Sequence, residues 1–319
     1  MDPCTFPDAE ARFDALVAAH ASELGIDPVC STTRWIAPLA SAFAPAASPR
    51  LFSSDAGMVT LLEHENPNGP VLTAFDCVWG FSAPMVGPDP AALIEEFWGS
   101  VLPGLAPYAL SVAGVPPTGP LHSALVDREL VGQSMPAERC VADLDDGFDA
   151  WLARRSSRFR RSLRTAVSRG IDAGVEVDLV RPAEGPEALA AIARVLAVEK
   201  RSWKTEVRSG LIDTDLGVFT RSMANRFAKT SDLRVSFARL DDQDIGYVIG
   251  GIVGRRYRGF QHSFDEAHTD LSIGKLLQHD TIAGLAAEGV ATYDMGMHMP
   301  YKESYTDRLE VTQNLIFAL

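Results

Sequence analysis

Apolar residues recur along the second half of the chain with two alternating periods. Leu233–Leu240 and Ile245–Val253 read as a hairpin across Asp241-Asp242-Gln243-Asp244, and Tyr257–Phe264 as the next strand. A polar stretch, Asp265–Ser272, leads into a helix from Gly274 to about Gly289. Thr292–Met297 is then a strand that carries His298, Pro300, Tyr301 and Lys302 at its carboxyl end, and Val311–Leu319 closes the sheet. Before the hairpin, Phe148–Gly170 reads as one helix with Leu152, Phe159, Leu163 and Val167 along a stripe. Val175–Val180 alternates as a strand, and Pro186 opens a helix in which Leu189, Ile192, Leu196 and Trp203 keep helical spacing, with Glu199 near its end. Thr205–Leu216 is predicted as a loop over the site, and Phe219, Met223 and Phe227 mark another helix.

The first half has weaker punctuation. Ala9–Leu24 has the helical period, and Pro28–Pro49 reads as irregular around Trp35-Ile36. Met58–Glu63 and Val71–Phe75 form a hairpin across Asn66-Pro67-Asn68-Gly69, whose residues suit a tight turn. A Gly/Pro-rich loop, Trp79–Asp89, precedes a helix near Pro90; Tyr108–Val115 is a strand and Arg139–Leu144 an edge strand. The acidic turn Asp143–Gly147 divides the chain into predicted domains 1–147 and 148–319.

Composition narrows the function. The net charge of −13 opposes general nucleic-acid binding. Yet Trp151–Gly170 holds seven arginines (154, 155, 158, 160, 161, 164, 169) and no acid, leaving the rest of the chain at −20, so a local basic ridge can meet an anionic ligand. Cys4, Cys30, Cys77 and Cys140 have no C-x-x-C pairing, and the histidines lack H-E-x-x-H spacing, so no metal is expected. No apolar run approaches the roughly 18 residues of a membrane span. The acidic start (Asp2, Asp8, Glu10) is unlike a signal peptide, and the expected location is the cytoplasm. Where Gly274-Lys275 opens a helix, unpaired amides, the helix dipole and the lysine suit a phosphate or pyrophosphate; a simple cap is the competing reading.

Three segments carry a resemblance: Phe260–Asp265, Leu271–Leu277, and Tyr293–Gly296 with Pro300-Tyr301-Lys302. They resemble the C-terminal motifs of GNAT acyltransferases, in the Fem-like branch and its cellulose-biosynthesis (CelD) type. Glu199–Lys204 resembles that branch's Ser-Trp-Lys signature, and the arginine-rich helix has its counterpart there. The resemblance covers about 150–319, and departs from the pattern in that the glycine-rich pyrophosphate loop is reduced to Leu271-Ser272-Ile273-Gly274-Lys275. It implies a mixed α/β GNAT fold in two tandem domains, the first degenerate. It also implies acyl-CoA as co-substrate held by Leu271–Lys275, and a small-molecule acceptor with an amine or hydroxyl. Trp203, Asp294 and Lys302 are expected to bind substrate, and Tyr301 to protonate a departing thiolate. Proton transfer from the acceptor is assigned among His262, Asp265, Glu199 and Asp294, with an ordinary buried hydrogen bond as the alternative for each and a neutral-pH titration in favour of His262. The alternative function is an aminoacyl-tRNA-dependent transferase, with the Arg154–Arg169 helix on RNA backbone.

Overall fold

Strand alternation and turn residues set most of the local structure. In the computed structural model, which describes residues 1–3, 6–134, 136–206 and 210–318, the chain divides into two compact units. The first is Met1–Glu138 with Val311–Leu319, and the second is Arg139–Glu310. In chain order the strands are β1 (Asp2–Pro3), β2 (Ser48–Ser54), β3 (Gly57–His64), β4 (Val71–Ala74), β5 (Met85–Val86), β6 (Ala109–Val115) and β7 (Leu130–Gln133). They continue with β8 (Ala137–Asp143), β9 (Glu176–Val180), β10 (Leu233–Leu240), β11 (Gln243–Val253), β12 (Arg256–Phe264), β13 (Thr292–Met297) and β14 (Arg308–Ala318).

The first unit is built on the order β1-β2-β3-β4-β6-β14, with β5 paired to β3 and β7 to β14. The predicted β3–β4 hairpin forms, and Asn66 closes its turn by accepting from Asn68 N at 3.0 Å. Thr33–Phe43, read from the sequence as irregular, is a helix that buries Trp35, Ile36, Leu39 and Ala42. Pro38 inside it removes one backbone donor and hides the helical signal; burial of one face outweighs that loss. The Trp79–Asp89 loop is held by Asp76, whose carboxylate accepts backbone N–H groups from Val78, Trp79, Phe81 and Ser82.

The second unit has the sheet order β8-β13-β12-β11-β10-β9, antiparallel except for the parallel pair β12–β13. Helix Ile273–Ala287 buries Ile273, Leu276 and Leu277 against Ile245 and Val248, and its later turns pack Ile282 and Leu285 with Trp151, Tyr257 and Tyr293. The arginine helix crosses it closely at Gly170, where a Cβ would lie 2.7 Å from Leu276.

Several sequence expectations change here. The boundary falls at 138/139 rather than 147/148, because β8 pairs antiparallel with β13 and Arg139 bonds Asp294. Val311–Ala318 pairs with β6 and β7 of the first unit. The helix predicted over 148–170 is two, Gly147–Ala153 and Ser157–Asp172, since the Ser156 hydroxyl accepts from Phe159 N and starts a new helix. Leu189 points outward at 67% exposure, leaving Ala188, Ala191, Ile192 and Val195 as the buried stripe of helix Gly185–Glu199. Of the loop predicted over 205–216, residues 207–209 lie outside the described residues; Trp203–Glu206 is a helical turn, and helix Asp215–Ala228 starts within the predicted loop.

Candidate active site

β12 and β13 pair only at Arg256–Arg258 against Thr292–Asp294, although β12 runs on to Phe264. Beyond that point they part, for reasons visible on both sides. β12 stays on β11, where a bulge leaves Phe260 without an opposite residue between the pairs Gly250–Gly259 and Ile249–Gln261. β13 turns away at Gly296, whose φ of 81° suits glycine and whose amide bonds the Asp294 carboxylate at 2.8 Å. Asp294 is fully buried and also accepts from Arg139 (2.7 Å), Arg256 (2.7 Å) and Arg258 (2.5 Å). Burial opposes ionisation of this carboxyl, but the three guanidinium groups hold its pKa well below the usual range.

The wedge between the strands opens into a cavity of about 880 Å³. One wall is β12 from Gly259 to Phe264; another is Tyr293, Met295 and Met297 of β13, continued by Met299, Tyr301 and Lys302. Its far end is the start of helix Ile273–Ala287, through Ser272, Gly274, Lys275 and Gln278. Trp203, Lys204 and Tyr305 complete it, and no Asp or Glu is among the described lining residues.

At the helix start, Ser272 takes the left-handed conformation (φ 58°, ψ 38°). The first-turn amides of Ile273 and Gly274 lack an intrahelical acceptor by position. Lys275 Nζ bonds Ser162 Oγ at 2.8 Å, and Arg169 reaches Asp270 O at 2.6 Å, so the arginine helix braces the turn. A Cβ on Gly274 would meet Phe264 only at 3.7 Å; the protein's own packing tolerates a methyl there, and glycine keeps the cavity floor open. Leu271 and Ile273, predicted with this group, face the core instead.

Lys204 Nζ donates to Gln261 Oε1 (2.8 Å) and to the His262 carbonyl (2.5 Å), capping the β12 edge that β13 has left. Burial lowers its pKa, against the attraction of Glu199. Lys302 Nζ donates to Met297 O at 2.8 Å; burial and then the Arg258 charge lower it to about 8. The rings of His262 and Tyr301 lie 5.8 Å apart. Burial pushes Tyr301 up to about 12, so its hydroxyl keeps its proton. His262 corrects the expectation of a neutral-pH titration: burial, followed by the charges of Lys204 and Lys302, lowers it to about 3, and its imidazole is neutral.

Of the predicted site residues, the structure brings His262, Tyr301, Lys302, Trp203, Ser272, Gly274 and Lys275 to one cavity. The other five, Leu271 and Ile273 together with Glu199, Asp265 and Asp294, are not among its lining residues. Glu199 accepts from Tyr247 Oη (2.6 Å) and Leu211 N (3.1 Å). Asp265 accepts from Arg201 Nε (2.5 Å) and caps the following turn at Ala267 N. Asp294, expected to bind substrate, is the ionic hub behind the strands. Sequence reading missed as cavity residues Lys204, Gln278, Met299 and Tyr305; for Met299 the Met-x-Met-x-Met spacing that continues Met295 and Met297 was the available signal.

Residues 157–303 match the acetyltransferase (GNAT) domain family. The matched GNAT domain lies wholly within the second unit and spans the arginine helix, the wedge and the helix start. No curated protein matches the chain. Among solved structures, FemX is similar at a TM-score of 0.72 and 12% identity, over 100% of this chain and 98% of that one. A conserved protein of unknown function from Bacteroides thetaiotaomicron has a TM-score of 0.65 at 9% identity, over 96% of this chain and 97% of that one. L-PGS from Bacillus licheniformis has a TM-score of 0.60 at 12% identity, over 94% and 90% respectively. At these identities the likeness is one of fold, a mixed α/β fold shared with GNAT-fold proteins. Among the described residues no helix is long and apolar enough to cross a membrane.

Proposed function

We propose that the second unit transfers an acyl group, in the first instance acetyl, from a coenzyme A thioester to an amine or hydroxyl of a small acceptor. The observation that carries this is the parting of β12 from β13 beyond Arg258 and Asp294, which opens a cavity running to the Gly274-Lys275 helix start. The residues present fit such a carrier. Ile273 and Gly274 amides with Lys275 suit its pyrophosphate. Ser263 Oγ and Gln278 Oε1, both on buried side chains lining the cavity, have no hydrogen-bond partner among the described residues and suit the amides of its arm.

The carrier supplies the activated acyl group. The chain's own groups then act on charge and protons. Where β13 has parted from β12, backbone N–H groups of β12 would be the donors for the negative charge that develops on a thioester carbonyl. Neutral His262 is an acceptor for the proton of the attacking group, and protonated Tyr301 a donor to the departing sulfur. Glu199 and Asp265 keep the wall in place from outside the cavity. The CelD-type resemblance of the same unit implies the same reaction, one that depends on acetyl-CoA.

Gly274→Asp tests the helix start. It is expected to weaken acetyl-CoA binding at least about tenfold by setting a carboxylate against the phosphates, while Gly274→Ala, for which there is space, has a smaller effect. Calorimetric titration of both variants reads this, with circular dichroism to show an unchanged fold; undiminished affinity in Gly274→Asp removes the helix start from the carrier site.

A second donor is favoured by one observation. Arg158, Arg161 and Arg164 lie exposed on one helix and have no carboxylate partner among the described residues, whereas other exposed arginines such as Arg50, Arg181 and Arg255 are paired with Glu63, Glu288 and Asp145. An aminoacyl-tRNA would use such a ridge, and salt-sensitive retention of charged tRNA on a filter, lost in the triple Arg→Gln variant, would support it.

A further inference from the structure

The cavity has the opposite charge to the protein. The chain carries −13, yet the described residues lining the cavity include Lys204, Lys275 and Lys302 and no carboxylate. Lys275 belongs to the helix start. Lys204 and Lys302 are close enough to lower the His262 titration together. The acids they sense are engaged elsewhere: Glu199 by Tyr247 and Leu211, Asp294 by three arginines. Lys204 commits two of its three N–H donors to Gln261 and His262, and Lys302 commits one to Met297 O, which leaves donors on both ammonium groups.

Beside these charges the wall is apolar. Trp203, Met297, Met299 and Tyr301 are 47%, 51%, 46% and 50% exposed, each lining the cavity. In a monomer, large apolar side chains gathered at one polar-rimmed mouth mark a ligand surface.

We propose that Lys204 and Lys302 form the acceptor's anion subsite, so that the acceptor is an amphipathic acid with a carboxylate at the two ammonium groups and an apolar body against Met297, Met299 and Trp203. This rests on the acyltransferase reading above. It excludes polyamines and other purely cationic amines, which find no carboxylate in the cavity. The lowered pKa values of Lys302 and His262 agree with it, since an anion placed there relieves both.

A charge series on one apolar body tests the subsite without turnover: 3-phenylpropanoate, 3-phenylpropanamide and 3-phenylpropylamine, titrated into the 319-residue chain by tryptophan fluorescence, with acetyl-CoA titrated in parallel. The acid is expected to bind at least about tenfold more tightly than the amide, and the amine more weakly than either. Lys302→Gln is expected to bring the acid down to the affinity of the amide and leave the amide unchanged, and Lys302→Arg to keep most of the preference. An amine that binds as well as the acid overturns the proposal, as does a Lys302→Gln variant that weakens acid and amide alike. Acetyl-CoA binding with a charge-blind series removes the subsite alone. Acid preference without acetyl-CoA binding supports the subsite and overturns the acyltransferase reading.

Discussion

Asp294→Ala is expected to destabilise the second unit by about 3–5 kcal/mol, because it leaves the buried Arg139 and Arg258 guanidinium groups without their shared carboxylate. Glu310 does not compensate. It bonds Arg256 at 2.6 Å and Arg139 only at 3.5 Å. The loss corresponds to a melting temperature lower by about 10 °C for a unit of this size. Asp294→Asn, which keeps an acceptor for the Gly296 amide, should lie between the variant and the parent. The wild-type carboxyl has a folded pKa below its unfolded value of about 3.9, so its contribution is complete above about pH 4–5 and disappears as the pH falls towards the folded value. Stability curves against pH should therefore diverge between parent and Asp294→Asn at neutral pH and converge in acid. A neutral Asp294→Ala substitution would mean that the arginines relax to solvent and that the hub does not hold β8, β12 and β13 together.

Tyr301→Phe is expected to lower kcat by about a hundredfold or more while leaving acetyl-CoA affinity within about twofold, if the phenol acts, as proposed, on the departing sulfur and not on the carrier's phosphates. Burial raises the Tyr301 pKa to about 12, so the parent's rate should show no alkaline limb from this group up to about pH 10. Its ring would still pack near His262 in the variant. Stopped-flow detection of free thiol separates the two parameters. Full kcat in Tyr301→Phe would assign proton donation to another group or to solvent.

The wedge was legible because its parts are local in sequence. Tyr257–Phe264, the Gly274 helix and Thr292–Met297 each have their own period or turn chemistry, and each lies within one or two residues of the observed element. What was not legible depends on distant partners. β8 reads as an edge strand of the first half, and only its pairing with β13, 149 positions from Asp143 to Thr292, assigns it to the second unit. Asp294 looks like a substrate ligand in sequence, because three arginines at 139, 256 and 258 become its partners only when β8, β12 and β13 are side by side. Glu199 and Asp265 sit in the right segments, but their carboxylates turn to Tyr247 and Arg201. His262 reached the cavity as expected. Its titration did not follow the residue type, because the environment brought by Lys204 and Lys302 is a tertiary property.

If the wedge between β12 and β13 takes a coenzyme A thioester, isothermal titration of the 319-residue chain with acetyl-CoA, with charged tRNA tested by filter binding in parallel, will show it. Saturable binding in the micromolar range, a typical cofactor affinity, is the predicted result. Absence of acetyl-CoA binding, together with salt-sensitive retention of charged tRNA, would contradict it and assign the donor to the arginine ridge.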